Sequence, residues 1–104
     1  HIGNFRKELK LRCTHMLEIL DTYFTGIATW NIPQGGFYIW LKLNKFISME
    51  TLFQQALKSN ILINPGYIYS FSKNNCIRLS YSYATYDEMD IGLKKLAHII
   101  SEMM

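Results

Sequence analysis

The sequence predicts an α+β domain, a mostly antiparallel sheet of three to five strands with helices packed on one face. Three observations carry that prediction. Apolar residues recur at helical spacing near both ends of the chain; two segments between them alternate apolar and polar residues; and turn residues separate the segments.

Ile2, Phe5, Leu9, Cys13, Met16, Leu20 and Tyr23 form a stripe with steps of three and four, which predicts a long first helix. Arg6, Lys7, Lys10, Arg12 and Glu18 fall off that stripe and are expected to face water. Gly26 ends the helix, and a short β-branched stretch runs to Trp30 before Pro33 and Gly35-Gly36. Phe37 to Leu43 then alternates, with Phe37, Ile39, Leu41 and Leu43 on one face and Tyr38, Trp40 and Lys42 on the other.

Ser48 is placed to cap a helix containing Leu52, Phe53, Ala56 and Leu57 and ending near Asn60. Ile61-Leu62-Ile63 reads as a short strand stopped by Pro65-Gly66, and Tyr67 to Phe71 as a further one. After a turn at Ser72 to Asn75, Ile77, Leu79 and Tyr81 point one way and Arg78, Ser80 and Ser82 the other. Thr85 and Glu88 spell a capping box, which opens a last helix with the stripe Met89, Leu93, Leu96, Ile100 and Met103.

The chain's 104 residues make one domain. With 49% apolar, 14% aromatic and only 18% charged residues, it is not a disordered tail. No apolar run approaches the roughly 20 residues of a membrane span, and the polar N-terminal segment is no signal peptide, so a soluble, cytoplasmic setting is expected. A net charge of +3 is too small to argue for nucleic acid. The chain opens at His1 inside a helical pattern, which reads as a fragment of a longer protein.

All eight carboxylates fall in the predicted helices, which disfavours a hydrolytic acid pair or a carboxylate metal site. The sheet and its loops carry Lys42, Lys45, Lys73 and Arg78 with no acid, so that half of the domain favours an anion. Arg78, mid-strand, offers a planar fork that binds a carboxylate through two parallel hydrogen bonds; a plain strand arginine reaching water is the simpler alternative. His1, His15 and His98 lack metal-ligand spacing, and Cys13 and Cys76 read as buried structural thiols. Ser70 to Lys73 spells S-x-x-K, but it runs into a turn rather than a helix start. The aromatics of Phe37 to Trp40 have the flavour of an RNA-binding sheet, yet that module opens with a strand, and packing is the preferred explanation. A stand-alone α+β binding module for RNA or a small anion is the alternative these residues leave.

Pro33-Gln34-Gly35-Gly36-Phe37-Tyr38-Ile39-Trp40-Leu41 resembles the P-x-G-G-x-F/Y-x-W-x-x-L segment of class I/II pyridoxal-phosphate-dependent aminotransferases. Ala56 to Asn60 followed by Ile61-Leu62-Ile63-Asn64-Pro65-Gly66 is similar to their helix, strand and P-G turn. Ile77-Arg78-Leu79-Ser80-Tyr81-Ser82 is similar to their R-L-S/N-F/Y strand, and Ile91-Gly92-Leu93 to Ile99 to their closing helix. The opening His1-Ile2, with Phe5-Arg6 and Arg12, is similar to the subgroup of 2-aminoadipate-type aminotransferases and equally to the aminotransferase-like half of GntR/MocR transcriptional regulators.

The resemblance implies the C-terminal small domain of such a protein, residues 1–104, with the large pyridoxal 5'-phosphate-binding domain absent. It implies that Arg78 binds the α-carboxylate of an amino acid or 2-oxo acid, as substrate or as effector. The cofactor lysine, in S-x-S-K followed by P-G-x-R-x-G, would lie in the large domain, leaving Lys73 a decoy and this fragment without cofactor or catalytic residue. The parent is expected to be a homodimer, and to bind DNA only if a helix-turn-helix domain lies upstream. Tyr67-Ile68-Tyr69 departs from the family's small residue and Phe after P-G.

Overall fold

The computed structural model describes residues 2–33, 38–58, 69–71, 75–81 and 85–104. Helix α1 spans Ile2–Tyr23, strand β1 Ala28–Trp30, β2 Tyr38–Leu43, helix α2 Met49–Lys58, β3 Tyr69–Phe71, β4 Cys76–Ser80 and helix α3 Tyr86–Met103. The four strands form one antiparallel sheet in the order β1-β2-β4-β3. The predicted α+β class is observed.

Alternation decides which face of the sheet is covered. Ile39, Leu41 and Leu43 of β2 and Ile77 and Leu79 of β4 are buried, while Tyr38, Trp40 and Lys42 between them are exposed. The buried set merges with Met16, Ile19 and Leu20 of α1, Leu52 and Ala56 of α2, and Met89, Leu93, Leu96, Ala97 and Ile100 of α3 in one core. All three helices therefore lie on one side of the sheet, and α3 packs between α1 and α2. Among the described residues no helix covers the other face.

Two stripes differ from expectation. Tyr23 is 39% exposed, and Phe24, just beyond the helix, is fully buried in its place. The step of four from Leu20 to Phe24 keeps the side chain on the core side, and Gly26 at φ +91° turns the chain immediately afterwards. In α2, Phe53 and Leu57 are exposed and only Leu52 and Ala56 are buried, because a single row of this ten-residue helix meets the core. Ser48 accepts the Thr51 amide at 3.1 Å as its cap.

At the start of α3, Thr85 Oγ1 accepts the Glu88 amide at 3.0 Å and Glu88 Oε1 accepts the Thr85 amide at 2.9 Å, the reciprocal box expected from the sequence. Asn75, buried at φ 62°, ties the loop after β2 to the turn before β4. Its amide nitrogen donates to the carbonyls of Leu43 at 3.1 Å and Lys45 at 2.9 Å. The strand at 61–63, the P-G turn at 65–66, Gly35-Gly36, Phe37, Lys73 and Ser82 lie outside the described residues.

Candidate functional site on the open face of the sheet

Strand pairing places Arg78 at the centre of the sheet face opposite the helices. It lies opposite Trp40 of β2 on one side and Ser70 of β3 on the other. Tyr38 lies opposite Ser80, one diagonal step from Arg78, a spacing that long and aromatic side chains bridge on a sheet. The Arg78 guanidinium carbon sits 4.2 Å from the centre of the Tyr38 ring. Arg78 is thereby half-buried, whereas Tyr38 and Trp40 remain 41% and 49% exposed.

The electrostatics of this face are one-sided. Lys42, opposite Cys76, adds a second cation, and Lys45 follows in the next loop. Among the described residues every Asp and Glu lies on a helix, so no carboxylate shares the sheet with Arg78. A guanidinium resting on an aromatic face still has its N–H donors pointing outward in its own plane. That arrangement suits a planar anion approaching edge-on, and a carboxylate matches the fork bidentately.

Other chemistry-bearing residues fall elsewhere. His15 Nε2 lies 2.9 Å from Asp90 Oδ1, and its ring stacks on Tyr86 at 4.6 Å between centroids, joining α1 to α3. Arg12, expected to face water, is instead drawn partly under cover, with Nε 3.1 Å from Glu8 Oε1 and its guanidinium 6.0 Å from the Tyr86 ring. This set is a clamp between helices on the side of the domain away from Arg78. His98 is exposed, and no group of three or more metal-ligating side chains occurs among the described residues.

Cys13 and Cys76 are thiols, partly rather than fully buried, since one lies on the margin of the α1 stripe and the other begins a strand. Burial pushes the Cys13 thiol up, only partly offset by its hydrogen bond to Tyr81. Tyr81 is itself pushed up to about 12, by burial first and then by the charge and hydrogen bond of Cys13. A nucleophilic thiol is favoured by the opposite shift. Neither the Tyr38–Arg78 stack nor the His15–Asp90 pair was read from the sequence. Alternation put Tyr38 and Arg78 on polar faces of separate strands, but only the strand register makes them neighbours.

No family model matches the chain. It is 44% identical over 103 residues to the uncharacterized HTH-type transcriptional regulator YdfD of Bacillus subtilis (strain 168), covering 99% of this chain and 21% of that protein. It is 40% identical over 97 residues to the HTH-type transcriptional regulator NorG of Staphylococcus aureus (strain USA300), covering 92% of this chain and 22% of the relative. The chain thus spans about a fifth of the length of these relatives. Among solved structures, Pyrococcus horikoshii kynurenine aminotransferase superposes with a TM-score of 0.81 and 30% identity, over 98% of this chain and 26% of the enzyme. LysN, the α-aminoadipate aminotransferase of Thermus thermophilus, shares the fold with a TM-score of 0.76 at 24% identity, over 94% of this chain and 26% of the enzyme.

This architecture, spanning about a quarter of each enzyme, is that of an aminotransferase small domain. Over almost its whole length the chain is similar to one part of HTH-type transcriptional regulators as well as to one part of aminotransferases of this fold.

The two enzymes were solved with pyridoxal-derived groups, PMP in one and N-(5'-phosphopyridoxyl)-L-leucine in the other. The aldehyde form of that cofactor, pyridoxal 5'-phosphate, is linked through a lysine amine held in a cleft, and every form needs donors for its phosphate. Every described lysine here is exposed, on a helix face, on β2 or in a loop. The described residues therefore do not make a seat for the cofactor. What they offer is a guanidinium suited to a carboxylate.

Proposed function

We propose that this chain is the effector-binding C-terminal domain of an HTH-type transcriptional regulator with an aminotransferase-like body. Arg78 holds the α-carboxylate of an amino acid or 2-oxo acid there. The observation that carries the regulator reading is identity over almost the whole chain, 44% to one such regulator and 40% to another, against 30% to the aminotransferase of the same fold. Arg78 is supported independently by its central place on the open, acid-free face and by the planar fork it presents.

In this reading the rest of the parent holds pyridoxal 5'-phosphate and faces the sheet, and carboxylate capture on this side is coupled to a separate DNA-binding domain. Such coupling is a free energy between two sites, so the amino acid alters affinity for DNA and DNA alters affinity for the amino acid by the same factor. The parent is a homodimer in this account. The enzyme reading keeps the same clamp, which then orients the substrate's α-carbon for proton transfer, and it draws on the 0.81 TM-score to kynurenine aminotransferase.

The test uses the full-length protein and its own upstream operator DNA, followed by fluorescence anisotropy while the twenty proteinogenic L-amino acids are added singly. At least one shifts DNA affinity in the wild type. Arg78→Ala abolishes that shift while leaving DNA affinity without amino acid, and the cofactor's absorbance, unchanged. A variant that responds like wild type removes Arg78 from the site. Conversion of an amino acid to its 2-oxo acid, with no DNA bound, selects the enzyme instead.

A further inference from the structure

We propose that Tyr38 is the positioning residue of this site: its ring holds the Arg78 guanidinium flat, with the N–H fork turned outward toward a carboxylate. The inference rests on the reading of Arg78 as the carboxylate-binding group and adds a specificity-determining partner to it.

An arginine side chain has several rotatable bonds, and ordering them opposes binding unless they are ordered beforehand. On this face nothing acidic is available to do so, because all described carboxylates are on helices. Trp40, directly opposite in the register, is 49% exposed, and the guanidinium goes past it to the diagonal neighbour, 4.2 Å from the Tyr38 ring centre. A cation over a ring is held without using its N–H donors, and among the described residues no acid competes for them on this face. A salt bridge would occupy the N–H donors a carboxylate needs; an aromatic stack fixes the group without spending them. The two residues come from adjacent central strands, whose ladder runs unbroken from Tyr38–Ser80 to Lys42–Cys76, so the platform is rigid.

The experiment is calorimetric titration of the full-length, cofactor-loaded protein with the tightest-binding of the twenty proteinogenic L-amino acids and with its α-carboxamide. Tyr38→Phe keeps the stack and binds within twofold of wild type. Tyr38→Leu weakens the acid about tenfold, the size of a cation–π contact partly shielded from water, and leaves the carboxamide unchanged. In an Arg78→Ala background Tyr38→Leu has no further effect. A structural readout is independent of binding: in wild type the Arg78 Cδ protons resonate upfield through the ring current of Tyr38, and in Tyr38→Leu they return to ordinary values.

Wild-type binding by Tyr38→Leu, or unshifted Arg78 protons in wild type, overturns the positioning role while Arg78 keeps its own. A Tyr38→Phe loss as large as that of Tyr38→Leu also overturns it, since the hydroxyl and not the stack would then matter. If Arg78→Ala still distinguishes acid from carboxamide, or wild type does not, the carboxylate reading fails and this inference with it. Should Tyr38→Leu fold poorly, Tyr38→Thr, which suits a strand, replaces it with the same expectations.

Discussion

Asn75 combines three demands that few side chains meet together. It adopts φ 62°, is buried, and satisfies the Leu43 and Lys45 carbonyls that the turn after β2 leaves inside the fold. Asn75→Ala removes both donors and strains the backbone, and urea denaturation should register a loss of about 1–3 kcal/mol. Asn75→Gly relieves the strain alone and should recover part of that loss. Tyr81 and Cys13 give the domain an alkaline limit. Both hold their protons more tightly folded than unfolded, since burial raises both. Their contribution is complete below the unfolded values and is lost as pH rises, for Tyr81 between 10 and about 12. Tyr81→Phe should flatten that part of a stability–pH curve, and an unaltered curve would show the phenol is not responsible. Alternation fixes the face on which Arg78 stands, whereas Asn75 reads only as one residue of a turn. Its buried role depends on a loop 30 residues away in sequence, visible only once the chain has folded.

Helix ends were more legible than helix faces. The Thr85–Glu88 box is purely local chemistry, so a four-residue pattern located it, and Thr85→Ala should cost about 1 kcal/mol in urea denaturation. An effect within experimental error would mean the last helix gains nothing from its cap. The faces of α1 and α2 were legible only in part. A period of 3.6 allows steps of three or four, and what meets each step decides between Tyr23 and Phe24. The same holds for α2, where spacing nominated Leu52, Phe53, Ala56 and Leu57 and packing kept two of them. In the strands a period of two leaves no such choice: the buried sets of β2 and β4 match expectation, with the alternate residues exposed on β2 and half-buried on β4.

The described residues form two layers, helices on a sheet. Three helices cover one side of the sheet, and Tyr38 and Trp40 stand exposed beside a cation on the other. Tyr86 is exposed too, on the helical side, while Tyr67 and Tyr83 lie outside the described residues. Exposed apolar area of this kind promotes association. In light scattering the isolated chain should self-associate as concentration rises, and Trp40→Thr should reduce it; a clean monomer throughout would show that the open face needs no cover. The resemblance to aminotransferases was legible in part because Tyr38 to Leu41 and Ile77 to Ser80 sit on paired strands, where alternation constrains each residue. The arginine's partner was not, since it requires the register of two strands.

The most direct test of the account is the nitrogen-15 spectrum of the Arg78 guanidinium in the full-length protein during titration with the amino acid that alters its DNA affinity. The account predicts that the Arg78 Nε–H signal moves downfield and saturates with binding, and that the α-carboxamide of the same amino acid leaves it in place. A guanidinium signal that does not move while the amino acid binds would contradict it.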